Sequence, residues 1–173
     1  KKRGDYATLR NQLCTLKENG VLMFVNSRGL KDQLVQRLKA DRLLDFFGID
    51  HGSAGNEMME FETEIVAKGN IGNGIYGANK KDSIKNVNWN EIKLQVIERI
   101  LTKLKNKKKI NEDNVELHFF DDEDANVNAF NTKFIENENR VGHKIGKRGR
   151  EERNSITQEL EDFITKTLQQ NTL

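Results

Sequence analysis

The chain contains no proline and a single cysteine, Cys14, in 173 residues. One cysteine excludes an internal disulfide and a cysteine-based metal site, and the position of Cys14 on the apolar stripe of an expected helix makes it a core residue. Without proline, and with asparagine and lysine abundant, the composition matches the codon bias of an AT-rich genome, which bears on source and not on function. No apolar run approaches the length of a membrane span, and no charged start followed by an apolar stretch marks a signal peptide. A soluble, cytoplasmic protein is therefore expected, with a secreted bacterial effector as the second reading. The formal net charge is only +2, so no strong overall attraction to nucleic acid or anionic lipid follows. Local basic patches remain at Lys105 to Lys109 and Lys144 to Arg153.

With 35% hydrophobic and 32% charged residues, the core has to be lean and most of the surface charged. The length fits one domain, taken as residues 1–173. Leu9, Leu13 and Leu16 recur at helical spacing, and Asn19-Gly20 supplies a left-handed stop, so a helix is expected from about Tyr6 to Glu18. Val21 to Val25 is continuously apolar, as a strand buried on both faces would be, and it stops at Asn26-Ser27-Arg28-Gly29. Leu30, Leu34, Leu38 and Leu43-Leu44 return to helical spacing, which gives an α/β signature. Residues 48–88 form an insertion or cap-like region of turn chemistry around a short strand at Ile65 to Ala67. Order resumes with a helical stripe at Ile92, Val96, Ile97, Ile100, Leu101 and Leu104. Asp124 to Phe134 gives a short helix, Gly142 to Arg150 a basic loop, and 150–170 a C-terminal amphipathic helix carrying Ile156, Leu160, Phe163, Ile164 and Leu168.

The densest chemical signal is Leu117-His118-Phe119-Phe120-Asp121-Asp122, an apolar run that ends in two carboxylates, with Asn126 beyond them. A strand ending in Asp-Asp at the open edge of a parallel sheet is a way to hold a hard cation such as Mg²⁺, through Asp121 and Asp122. Helix capping and turn formation would use the same residue types. Ser27, with Asn26, Arg28 and the following helix start, offers phosphate-binding groups, and an ordinary helix cap is the competing role for Ser27. Lys93 stands at a helix start from which a folded chain could aim it at the sheet edge, with Lys80 and Lys81 as rivals. His51, His118 and His143 show no metal-ligand spacing among themselves, and His118 is expected to pack within its strand. Gly69 to Gly77 lacks the Lys-Ser/Thr ending of a P-loop.

Taken in order, these pieces resemble the haloacid dehalogenase (HAD) superfamily of phosphohydrolases. "LKENG", the run Val21 to Val25 and "LLDFFG" resemble the surroundings of its second motif, with Asn26 standing before Ser27. Lys93 resembles its third-motif lysine, and "FFDDEDANVNAF" is similar to its fourth motif. The resemblance implies a Rossmann-like three-layer sandwich with a mainly parallel central sheet, Mg²⁺ as cofactor, and hydrolysis of phosphate monoesters through an aspartyl-phosphate. Ser27 and Lys93 would be catalytic; Asn26, Ser27, Arg28 and Lys93 would bind phosphate; Asp121 and Asp122 would hold the metal. The family's first motif, which supplies the nucleophile, should lie before Tyr6, where no apolar strand is found, so the nucleophile is expected upstream of Lys1. The alternative is a catalytically silent HAD-like scaffold that binds a protein partner through Lys144, Lys147, Arg148 and Arg150; nucleic acid is the less favoured partner.

Overall fold

Helix α1, Tyr6–Glu18, ends where the sequence places its stop. Val21 N–H donates to the Leu16 carbonyl at 3.0 Å and Gly20 N–H to Lys17 at 3.0 Å, with Gly20 at φ 77°. This is a Schellman turn, in which glycine takes the left-handed position without a Cβ penalty. The computed structural model describes residues 6–48, 75–78, 88–106, 110–111, 115–146 and 155–168. The chain divides into two compact units, Lys1–Asn88 and Trp89–Leu173. The fold is mixed α/β, and each unit holds one two-stranded parallel sheet among the described residues.

In the first unit the strand begins later than the apolar run suggests. β1 is Val25–Leu30, paired in parallel with β2, Ile75–Ala78. The cause lies just upstream. The Val21 amide is taken by the α1 cap, and Met23 bridges antiparallel to Gly48, whose N–H donates to the Met23 carbonyl at 2.9 Å. With those backbone groups committed, the parallel ladder can start only at Val25. β1 is half-buried along most of its length, in place of the strand buried on both faces that the sequence suggests. The ladder is irregular between Asn26 and Leu30.

Helix α2, Lys31–Ala40, then closes in a second Schellman turn, with Leu43 N–H donating to Leu38 at 2.8 Å. A 3-10 turn, Leu44–Phe46, meets both α1 and α2. Leu13, Leu16, Met23, Leu43 and Phe46 are buried in this unit, whereas Cys14 is half-buried and is not the core residue expected of it. The Arg10 guanidinium donates to the Asp41 carbonyl at 2.9 Å, which ties α1 to the end of α2.

The second unit is built on α3, Trp89–Asn106, followed by β3, Leu117–Asp121, α4, Asp124–Lys133, β4, Arg140–Lys144, and α5, Ile156–Thr167. β3 and β4 run parallel, from Leu117 opposite Arg140 to Asp121 opposite Lys144, with α4 as the crossover between them. Ile97 and Leu101 of α3 pack with Phe119 and Phe130 in the core, and Phe130 is fully enclosed. Gly142 lets β4 approach α4: a Cβ there would lie 3.2 Å from the Phe130 ring and 2.5 Å from the Asn131 side chain. Ser155 caps α5 in a capping box with Gln158, each side chain bonding the other residue's backbone N–H.

β4 is absent from the sequence reading, which assigns Gly142 to Arg150 to a basic loop. A five-residue strand containing glycine and flanked by charge has no pattern of its own, and pairing with β3 decides it. The suggested strand at Ile65 to Ala67, with His51, Lys80, Lys81, Lys147, Arg148 and Arg150, lies outside the described residues. No helix among the described residues is long and apolar enough to cross a membrane.

Arg42 occupies the glycine position of the α2 Schellman turn at φ 56° and is exposed. A non-glycine residue in this conformation costs about 1–2 kcal/mol. Arg42→Gly is expected to raise stability by about 1 kcal/mol net of the added chain entropy, read as a higher urea midpoint at unchanged m.

Candidate functional site

The alternation of β3 directs Phe119 and Asp121 to one face of the sheet, where both are buried. On the same side, the helical spacing of α3 places Lys93 in line with Ile97 and Leu101, one and two turns before them. The result is a buried ion pair between Lys93 Nζ and Asp121 Oδ2, with side-chain exposures of 10% and 4%. Asp121 Oδ1 accepts from the Glu123 backbone N–H at 2.8 Å and from Asn126 Nδ2 at 3.2 Å. Both donors belong to the first turns of α4, where the helix dipole also favours a negative charge. One carboxylate therefore joins α3, β3 and α4 through three donors.

The remaining predicted residues are distributed as follows. Asp122 follows the strand end and is half-buried; its carbonyl accepts from Lys144 Nζ, which also pairs with Asp124 at 3.3 Å. Lys144 is thus held at this strand end, by β3's own loop. Asn26, Ser27 and Arg28 belong to the Lys1–Asn88 unit and lie inside β1, not in a loop after a strand. Asn26 sits opposite Tyr76 in the ladder, Ser27 Oγ accepts from the Gly29 N–H at 3.0 Å, and Arg28 is exposed. Ser27 makes a local turn bond within the bulged stretch, and neither of its expected roles, cap or strand-end hydroxyl, describes its position.

The donor set can be compared with what Mg²⁺ requires. A carboxylate offers about four lone-pair directions, and Asp121 has three of them engaged by Lys93, Glu123 N–H and Asn126. With one direction left on Asp121, any Mg²⁺ there would have to keep much of its water and draw its remaining ligands from elsewhere. Among the described residues, no three His, Cys, Asp or Glu side chains converge into a metal cage. The described residues do not form a self-sufficient metal centre.

The sequence reading finds Lys93, Asp121 and the Asn126 position but misses the relation between His118 and His143, whose rings touch across β3 and β4. Local spacing carries no trace of that contact, since the two lie 25 residues apart and meet only through the parallel register. The Ser155-x-x-Gln158 capping signature, by contrast, is a legible signal that fixes where α5 begins.

No protein-family model matches this chain, and neither a curated protein nor a solved structure matches it.

Removing one member of the buried pair leaves the other charge uncompensated, at a cost of about 3–5 kcal/mol. Lys93→Met is expected to destabilise by an amount at the lower end of that range, because Glu123 N–H and Asn126 continue to stabilise Asp121. In the Lys93→Met/Asp121→Asn double variant part of the loss should return. A double-mutant cycle in urea measures both values.

Proposed function

We propose that the Trp89–Leu173 unit carries the lysine and carboxylate portion of a HAD-like phosphohydrolase site, acting in Mg²⁺-dependent hydrolysis of phosphate monoesters. The buried Lys93–Asp121 ion pair at the carboxyl end of a parallel strand is the observation that carries this reading. Ligands of open parallel sheets bind outside the carboxyl ends of the strands. A lysine held there by a carboxylate is placed to neutralise phosphoryl oxygens. The same reading makes β3 and β4 two members of a mainly parallel, Rossmann-like three-layer sheet.

Each residue then has a stated task. Asp121 orients the Lys93 ammonium and, with Asp122, would hold Mg²⁺; Asn126 and the Glu123 amide keep Asp121 from rotating away. A bound Mg²⁺ would supply charge neutralisation at the transferring phosphoryl group. Lys93 would stabilise charge on the non-bridging oxygens. Transfer through an aspartyl-phosphate requires a further aspartate as nucleophile, which this reading places upstream of Lys1.

The alternative, a silent scaffold with a basic C-terminal docking patch, is less favoured by Lys144. That residue is engaged by the Asp122 carbonyl and the Asp124 carboxylate.

Hydrolysis of p-nitrophenyl phosphate with Mg²⁺, measured on this chain and on a chain extended upstream of Lys1, tests the proposal. Mg²⁺-dependent turnover is expected in the extended chain, with Lys93→Ala lowering kcat by about 100-fold. If the extended chain neither turns over substrate nor binds Mg²⁺ in calorimetry, the reading is wrong.

A further inference from the structure

The face of β3 opposite Asp121 carries a second cluster, separate from the carboxylate site. His118 Nδ1 lies 2.8 Å from His143 Nε2 on β4, and His118 Nε2 lies 2.7 Å from Glu116 Oε1. His143 Nδ1 faces Glu159 Oε2 of α5 at 3.8 Å. Aromatic rings fill the space around the pair. Phe120 stacks on its cross-strand partner His143 at 4.3 Å and 8°, and Phe163 of α5 lies 4.4 Å from His118. α5 therefore meets this face through Phe163 and Glu159, one against each histidine.

The distances assign the protons. A neutral imidazole has one N–H and one lone pair, and a 2.7 Å contact with a carboxylate requires the His118 proton on Nε2. His118 Nδ1 is then an acceptor, so His143 Nε2–H donates to it and His143 Nδ1 is bare. The 3.8 Å gap to Glu159 agrees, being longer than a hydrogen bond. This chain is complete with both rings neutral. A proton added at His143 Nδ1 places a cation between Phe120 and the partly buried His118. With both rings fully protonated, His118 Nδ1 and His143 Nε2 are both donors and two cations share one site, so the 2.8 Å contact has to break.

We propose that the Glu116–His118–His143–Glu159 chain is an acid-released latch that holds α5 on the β3–β4 sheet. Among the described residues, the charged groups facing the two rings are Glu116 beside β3, and Glu159 and Lys166 from α5; β4 contributes His143 itself. Burial, then His118, hold His143 below the ordinary histidine value of 6.5; Lys166 adds to that lowering, and Glu159 pulls the other way. Because the docked state has the lower value, the released state takes up the proton first. The contribution to docking is complete above the ordinary value and is lost as pH falls through the docked one. Acid release and the proton accounting thus have the same sign.

Hydrogen exchange on the whole chain at pH 7.5 and 5.0, expressed as protection factors corrected for intrinsic rates, tests the latch. Protection of the α5 amides is expected to fall by about tenfold or more on acidification, with the α3 amides around Ile97 and Leu101 little changed. His118→Gln/His143→Gln should abolish the pH dependence of α5. Unchanged wild-type protection in α5 at pH 5.0, or the same fall in the double variant, overturns the proposal. If the variant does not fold, NMR titration of the wild-type imidazoles decides: coupled steps that track loss of α5 protection support the latch, and independent titration with α5 unaffected refutes it.

Discussion

The buried carboxylate of Asp121 is the constraint around which the second unit is arranged. A carboxylate removed from water must be met by charge and hydrogen bonds, or its burial is prohibitive. Here the charge comes from α3 through Lys93 and the hydrogen bonds come from the start of α4 through Glu123 N–H and Asn126. Satisfying one side chain therefore fixes the approach of two helices to the end of β3. The apolar contacts of Ile97, Leu101, Phe119 and Phe130 supply the packing beneath that polar junction. They are non-directional, whereas the ion pair and its donors specify a register.

The two-residue period of β3 separates two kinds of chemistry across one sheet. Asp121 and Phe119 face the helices α3 and α4, while His118 and Phe120 face His143 and α5. The first face is held by a charge pair of fixed sign. The second is held by two imidazoles whose hydrogen-bonding capacity depends on protonation. A single five-residue strand thus supports a buried ion pair on one side and a titratable contact on the other.

Much of this was legible in the sequence, for reasons that differ by element. Helices α1, α3 and α4 follow from apolar spacing and from end signals such as Asn19-Gly20, because a helix is made by local bonds. β3 is legible as an apolar run ending in carboxylates, and Lys93 is correctly placed near the sheet edge. The start of β1 is not, since it depends on Met23 being claimed by Gly48 and Val21 by the preceding helix. Nor is β4, whose Arg-Val-Gly-His-Lys composition forms a strand only because β3 lies beside it. Cys14 falls on a correctly read stripe and is still only half-buried, because a stripe gives direction and not depth.

The sequence by itself determined where helices could begin and end, which residues of α3 faced inward, and that carboxylates would stand at the end of an apolar strand. These are consequences of periodicity and capping, which act within a few residues along the chain. Tertiary structure alone decided that Lys93 meets Asp121, 28 residues away, and that His118 meets His143, 25 residues away. Such pairs arise from strand register and from the demand that buried polar groups be satisfied. Those conditions exist only once the elements are packed against one another.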